Sequence, residues 1–356
     1  MNLSGDIRQL VALTAMDIRA RSAIDQSFFS AAAYDGTDCN LCGRDDFLVL
    51  AERDALNLSV RTVMCRSCGL IAINPRLSKE WYGRYYASVG GVRRVYKHGQ
   101  GAVEMRLGAG FERARRHGRA LAERLHTFIR PELTIDVGSA EGGLLAGLRE
   151  VIPIEPLGIE PTVSRAEFAT ARGIPTHAAL IEDISSVLPD MPLAGNIFCT
   201  KSLNHFLDPA FFFRWAWTTL SSDGRIILEV KNFRQQARMS GRIRYAIQID
   251  HPFMFVPQTL RQFVEAAGFE ILFFEVDEEK NSQERVAQRA SGLPIGHIRL
   301  AAKKTSRAPF SEPVLPKPTL VYRLKRQLSP AHLYFTYLTR YAHPFKNFMM
   351  RVGSNV

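Results

Sequence analysis

The sequence is poor in long apolar runs: nowhere in its 356 residues do some 18 to 20 apolar residues follow one another, so no ordinary membrane-spanning helix is expected. Its first residues lack a basic stretch leading into an apolar core and a small-residue cleavage site. A secretory signal is therefore not expected, and the cytoplasm is the expected compartment. Cysteine is scarce. The five present are too few for a disulfide framework in a chain of this size, and four of them fall in two C-x-x-C pairs, which suits a metal site in a reducing compartment. Acidic residues are scarce at one end only. From Ala302 onward Glu312 stands alone against ten lysines and arginines, so nine of the eleven net positive charges lie there. The body is nearly neutral, and any attraction to a polyanion belongs mainly to the tail. No internal repeat is visible, and the 46% hydrophobic content is that of a globular protein with a sizeable core.

Five segments follow from the pattern. Residues 1–38 form a leader with a weakly amphipathic stretch (Ile7, Leu10, Val11, Ile18). Residues 39–78 carry the cysteine pairs. Residues 79–130 are a helical connector with an aromatic start, Trp81 to Tyr86, and apolar positions Phe111, Ala114, Gly118, Leu121, Leu125 and Phe128, whose spacing of three and four marks one buried helix face. The arginines of that helix (Arg113, Arg115, Arg116, Arg119, Arg124) are either a solvated face or a stripe for RNA. Over 131–304, short apolar runs alternate with helical segments, the signature of a parallel sheet with crossover helices. Strands are expected at Leu133–Val137, Pro156–Glu160, Thr176–Ala179, Asn196–Thr200, Arg225–Val230, Glu270–Glu275 and His297–Ala301, with a turn at Ser222-Asp223-Gly224 before the fifth. Residues 305–356 make a basic, aromatic tail behind a linker containing Pro309, Pro313, Pro316 and Pro318.

The cysteine pairs are Cys39-Asn40-Leu41-Cys42 and Cys65-Arg66-Ser67-Cys68, followed by Gly43 and Gly69. Two residues between cysteines let both thiolates face one metal. A following glycine lets the backbone amides turn toward the sulfurs. Four thiolates with no open position define a structural zinc site that would not activate water. The alternatives are two redox pairs or four unrelated cysteines.

At Leu133-Thr134-Ile135-Asp136-Val137-Gly138-Ser139-Ala140-Glu141-Gly142 an apolar strand ends in an acid and a glycine-bearing turn that opens a helix. Glycine suits a sharp turn on whose bare backbone a cofactor lies. The next strand ends at Glu160, whose two oxygens can accept from both hydroxyls of a ribose. A nicotinamide dehydrogenase makes the same demand. Further along come Asn204-His205-Phe206-Leu207-Asp208-Pro209 and Ile249-Asp250-His251-Pro252-Phe253, the latter followed by a helix, Ala267-Gly268-Phe269 and a strand.

Together these motifs resemble class I S-adenosylmethionine-dependent methyltransferases, in particular those with an N-terminal cysteine module that act on sugars, glycans and related small molecules. The resemblance spans roughly Cys39 to Lys304. It implies an α/β fold, a Rossmann-like seven-stranded mostly parallel sheet with helices on both faces, preceded by a small zinc-ribbon-like module. It also implies S-adenosylmethionine at Asp136, Gly138, Ser139, Ala140, Gly142, Glu160 and Lys201, with Asp183 near the adenine amine and zinc on Cys39, Cys42, Cys65 and Cys68. Ala140 stands where the family motif often has glycine. The long C-terminal domain of the deoxysugar C-methyltransferases has no clear counterpart.

Methyl transfer is an in-line displacement, so positioning supplies much of the rate and one proton must be managed. Histidine suits that proton near neutrality. His251 is the favoured base, Asp250 an orienting or substrate-binding group, and His205 the second candidate. The acceptor expected is a small molecule, glycan or glycolipid precursor. An RNA methyltransferase is the rival reading, yet no Asn-Pro-Pro-Phe-like motif follows the fourth strand, and Cys199 lies inside a strand rather than at a catalytic position. A degenerate cofactor-binding module without activity is the third. The aromatic, cationic tail either lies on an anionic membrane surface or folds back on the domain.

Overall fold

The computed structural model of the protein describes residues 31–55, 57–87, 108, 110–276, 278 and 282–340. Most of the expected leader and the end of the tail lie outside these. The cysteine region forms β1 (Tyr34–Asp35), β2 (Phe47–Arg53), β3 (Ser59–Cys65), β4 (Ile71–Ile73), β5 (Arg76–Leu77) and α1 (Lys79–Ala87). Strand β3 alternates at its start, exposing Ser59 and Arg61 and burying Val60 and Thr62, and is buried on both faces from Thr62 to Cys65.

The α/β part runs α2 (Phe111–Leu125), β6 (Leu133–Val137), α3 (Gly143–Arg149), β7 (Glu155–Ile159), α4 (Val163–Thr170), β8 (Thr176–His177), α5 (Ile184–Val187), β9 (Ala194–Thr200), α6 (Pro209–Thr219) and β10 (Leu220–Lys231). It continues through α7 (Phe233–Ser240), β11 (Phe253–Met254), α8 (Pro257–Ala266), β12 (Phe269–Val276), α9 (Ser282–Ala290) and β13 (His297–Lys304), and the tail adds α10 (Pro318–Gln327) and α11 (Pro330–Arg340). Seven strands form one sheet in the order β12-β13-β10-β9-β6-β7-β8, parallel from β10 through β8 and antiparallel at the β10/β13 and β12/β13 pairings. All seven expected strands are present. The turn expected at Ser222-Asp223-Gly224 is a correction: the chain stays within β10 and takes up the extra residues as a register shift between Leu220 and Arg225.

Side-chain alternation splits the core into two layers. Ile135, Ile197, Ile226, Leu228 and Leu300 face α6 and α8. Phe198, Ile227 and Ala301 face α2 and α3. Helices α2 and α3 cross so closely that a Cβ on Gly147 would lie 1.9 Å from the Arg115 carbonyl oxygen, and one on Gly118 would lie 2.2 Å from that of Leu144. Only glycine permits that approach.

The cysteine region is not a separate bead. Its second sheet has the order β11-β4-β3-β2, so the strand following Asp250 and His251 completes it, pairing Phe253 with Ala72 and Met254 with Ile71. The tail also folds back, with Leu324, Leu328 and Leu333 buried in one cluster with Met64, Ile71 and Ile73. No described helix is long and apolar enough to cross a membrane.

Candidate active site and four-thiol cluster

Strand β6 has β7 on one side and β9 on the other, so the connections from β6 and β9 leave in opposite directions and open a crevice at the carboxyl ends of these strands. Asp136 ends up there on β6, and the turn after it is held flat by Gly138 N–H and Ser139 N–H donating to the Ile159 carbonyl at 2.8 and 3.1 Å. Gly138 has φ +81°, and a Cβ there would lie 2.2 Å from Ser202 Oγ. Ala140 also takes a left-handed conformation, φ 49°, which costs a non-glycine residue on the order of 1 kcal/mol. That conformation aims its amide at Glu160. Ala140 N–H donates to Glu160 Oε2 at 3.0 Å, and Thr162 N–H donates to Oε1 at 3.1 Å. Gly142, also left-handed, is the N-cap of α3.

Several polar atoms around this turn are buried and have no hydrogen-bond partner among the described residues: Asp136 Oδ1, Ser139 Oγ and both side-chain polar atoms of Asn204. Leaving such groups unmatched costs about 1–3 kcal/mol each, so the cluster is built to meet a polar ligand rather than to stabilise the fold. A ribose-bearing cofactor fits this donor and acceptor set. Burial, reinforced by the nearby Glu160 charge, pushes the Asp136 carboxyl up to about 8.

Asp183 follows β8 as expected, but its carboxylate meets Lys79 of α1 at 3.0 Å in an exposed ion pair, worth about 0–1 kcal/mol. Lys201, at φ 62° after β9, reaches away to a buried network that sequence reasoning missed. Glu229 on β10 is fully buried and lies 2.6 Å from Arg299 Nε, 3.1 Å from His117 Nε2 and 3.7 Å from Lys201 Nζ. Burial alone would raise the Glu229 carboxyl, but the His117 hydrogen bond and the charges of His117 and Arg299 hold it well below the usual range. Removing Arg299 from the fully buried part of this set costs about 3–5 kcal/mol, whereas Lys201, 41% exposed, joins it at its edge. An acid and an arginine set among the apolar residues of two strands, Ile226–Val230 of β10 and Ile298–Ala302 of β13, were the available signal.

The two histidines come together from distant loops. The His205 and His251 rings meet edge to face at 4.6 Å between centroids. His205 Nδ1 lies 2.8 Å from the Asp250 main-chain carbonyl, which can only accept, so the neutral ring carries its lone pair on Nε2. Tyr82 O–H, on α1, reaches the carbonyls of both Asp250 (2.8 Å) and His205 (3.0 Å). Asp250 therefore orients the site through its backbone. Its carboxylate nevertheless keeps an oxygen within 4.8 Å of a nitrogen on each histidine.

The four sulfurs of Cys39, Cys42, Cys65 and Cys68 all lie within 4.8 Å of one another, with Cys39–Cys68 at 3.4 Å and Cys42–Cys65 at 3.6 Å. A tetrahedral zinc site with bonds of about 2.3 Å has sulfur–sulfur edges of about 3.8 Å, so the set fits that ion. Both glycines after the pairs are left-handed, and Ser67 N–H points at Cys65 Sγ from 3.4 Å. Hydrogen bonds among the four thiols push Cys65 well below its ordinary range and Cys39 and Cys68 above theirs, so the four titrate as one unit. Cys199 is fully buried among apolar side chains.

Residues 111–272, a little under half of the chain, match the family model of a methyltransferase domain. The chain thus carries a methyltransferase domain and is an enzyme of that broad class. No curated protein matches it in sequence. Among solved structures, the plantazolicin methyltransferase BpumL in complex with SAH is 13% identical, over 63% of this chain and 94% of that one, with a TM-score of 0.45. A SAM dependent methyltransferase from Archaeoglobus fulgidus is 20% identical over 53% and 94%, with a TM-score of 0.40. An S-adenosylmethionine dependent methyltransferase from Mesorhizobium loti is 16% identical over 52% and 98%, with a TM-score of 0.39.

The Asp136 carboxyl lies near 8 in the fold and near 3.8 when unperturbed. The folded state therefore keeps a proton that the unfolded chain sheds, and wild-type stability falls relative to Asp136→Asn as pH rises from about 4 to about 8. Thermal unfolding of both proteins at pH 5 and pH 8 should show the variant gaining by a few kcal/mol, on the order of 1.4 per pH unit. Parallel pH profiles would contradict the assignment.

Proposed function

We propose that the protein is an S-adenosylmethionine-dependent methyltransferase whose acceptor is a hydroxyl of a sugar, glycan or glycolipid precursor, acting in the cytoplasm. The observation that carries the cofactor is Glu160. Its carboxylate is fixed at the end of β7 by two backbone amides of the adjoining turns, and each oxygen retains acceptor capacity for a ribose hydroxyl. When bound, S-adenosylmethionine supplies an electrophilic methyl group on a sulfonium. Gly138, Ser139, Ala140 and Gly142 give the bare turn, Asp136 the acid beneath it and Asp183 the partner for the adenine amine, while Lys201 is turned to Glu229 and His117 and holds the end of β9 rather than the cofactor.

The acceptor side is the His205–His251 pair with Asp250. A hydroxyl becomes nucleophilic only as its proton leaves, and a neutral imidazole held in one tautomer is a suitable acceptor for it. The base belongs to this pair. Fixed by the Asp250 carbonyl, His205 offers Nε2, and the more deeply buried His251 packs against its ring and sets its angle. A small acceptor is further supported by the connector helix, because Arg115 and Arg119 pair with Glu150, and Arg124 pairs with Glu275. Those three arginines are paired within the protein, two of them sharing Glu150, which lessens what they offer a phosphate backbone. Zinc on the four cysteines is structural in this reading.

Calorimetric titration with S-adenosylhomocysteine should give micromolar affinity in the wild type and little or none in Glu160→Ala, with a nicotinamide dinucleotide failing to bind either. Binding of the dinucleotide instead would assign the crevice to a dehydrogenase.

In an assay with sugar acceptors, His205→Ala and His251→Ala should each lower kcat by roughly 10²–10⁴ while leaving S-adenosylhomocysteine affinity unchanged. Full activity in both variants would remove the pair from the chemistry.

Metal analysis should find about one zinc per chain, lost together with several degrees of thermal stability when Cys65 and Cys68 are changed to serine. Stoichiometric zinc in that double variant would overturn the ligand assignment.

A further inference from the structure

The tail helices have an inside-out pattern. Helix α11 turns Leu333 and Thr336 inward, yet at Ala331, Tyr334, Phe335 and Leu338, the i, i+3, i+4, i+7 positions of one face, it presents small or apolar side chains to solvent. Tyr334 is 59% exposed, Phe335 67% and Leu338 45%. Helix α10 adds Tyr322, 68% exposed, beside the exposed Arg323, Lys325 and Arg326. The helices are not loosely attached, since Leu324, Leu328 and Leu333 are buried in the core shared with β3 and β4. Burying the one face leaves the aromatic face without a covering element among the described residues.

The charge beside that face is of one sign. No carboxylate occurs in the sequence after Glu312, so neither helix contains an acid, while Arg323, Lys325, Arg326 and, farther on, Lys346 and Arg351 are cationic. A two-fold contact with a second copy through α10 and α11 would bring these cations against themselves with no acid in either helix to offset them. An anionic lipid surface satisfies both halves of the pattern. Apolar and aromatic side chains enter the boundary between headgroups and acyl chains, and lysines and arginines meet the phosphates. We propose that α10 and α11 dock the protein on an anionic membrane surface through Tyr334, Phe335 and Leu338, with Arg323, Lys325 and Arg326 facing the headgroups.

The charges extend onto the neighbouring helix. Arg323 lines a groove of about 760 Å³ with Lys317 and with Arg261 of α8, whose guanidinium sits 4.3 Å from the Phe274 ring centre, and Glu265 is the single acid there. Three cations against one carboxylate at the root of the docking helices give a phosphate-bearing surface a further contact.

The test is co-sedimentation of the full chain with vesicles of phosphatidylcholine alone and with about one third phosphatidylglycerol, a fraction sufficient to set a negative surface potential. Wild type should pellet with the anionic vesicles and stay in solution with the neutral ones. The triple variant Tyr334→Ser/Phe335→Ser/Leu338→Ser and the charge variant Arg323→Glu/Lys325→Glu/Arg326→Glu should each reduce the bound fraction by roughly tenfold or more. Both sets are exposed, so wild-type thermal unfolding and S-adenosylhomocysteine affinity identify a folded variant. Equal pelleting of folded variants and wild type would overturn the proposal. So would wild type that ignores the anionic vesicles but dimerises through the stripe in light scattering, or that is retained only by a single-stranded RNA oligonucleotide.

Discussion

The position of the candidate site depends on one constraint, the convergence of four sulfurs on a single point. Cys39, Cys42, Cys65 and Cys68 bring together two knuckles that are 22 residues apart in sequence, and each knuckle is tied to a different part of the α/β domain. Asn40, inside the first pair, donates through Nδ2 to Asp208 Oδ1 at 2.8 Å and accepts from Ala210 N–H at 2.9 Å, clamping the start of α6 just after the His205 loop. From the second pair, the Cys68 carbonyl accepts from Gln262 Nε2 on α8 at 3.2 Å, and the Ser67 carbonyl accepts from Lys317 N–H at the head of α10 at 2.7 Å. Single hydrogen bonds are worth about 1 kcal/mol net, too little to hold loops separately. Fixed to a common rigid centre, and supported by the β4–β11 pairing, they hold together. The four thiols and the histidines are thus parts of one structure.

Asp136 and Glu229 show how burial alone decides little. Both carboxyls are deeply buried at the carboxyl edge of the sheet, yet they are driven in opposite directions. Glu229 is met by Arg299, His117 and Lys201 and stays charged. The negative Glu160 is the charge that reaches Asp136. Glu229 sits among cationic side chains and ties α2 to the sheet through His117, whereas the charge nearest Asp136 has its own sign and one Asp136 oxygen has no hydrogen-bond partner among the described residues. A buried acid met by cations belongs to the fold, and a buried acid met by a like charge points to a ligand.

Much of this was legible in the sequence because it is local. Strand patterns, the glycine turn, Glu160 at a strand end and the paired cysteines each depend on residues a few positions apart, and the structure places them in the expected elements. What could not be read was long-range. Nothing in Asn40 announces a bond to Asp208, 168 residues on, and nothing in Asp250 says that its carbonyl rather than its carboxylate orients His205. Ser222-Asp223-Gly224 was read as a turn from its local chemistry, but pairing with β9 on both sides of it keeps the chain in the strand. His117, Glu229 and Arg299 form their network across α2, β10 and β13, and nothing local to His117 names its partners.

The same centre links the site to the tail. Helix α10 begins at the Ser67–Lys317 hydrogen bond, and its Leu324 side chain is the nearest contact of a Cβ built on Gly69, the glycine behind the second cysteine pair. Leu324 and Leu333 then share a core with Met254, only three residues beyond His251. A force applied to the tail helices at a surface would therefore pass through packed side chains and one short sheet to the His251 loop, with no flexible linker among the described residues between α10 and the module. The proline-bearing stretch before α10 joins it to the end of the large sheet, and the contacts join it to the cysteine module. Docking of the tail would thus fix the orientation of the histidine pair toward that surface, the geometry required of an enzyme whose acceptor is anchored in a lipid layer.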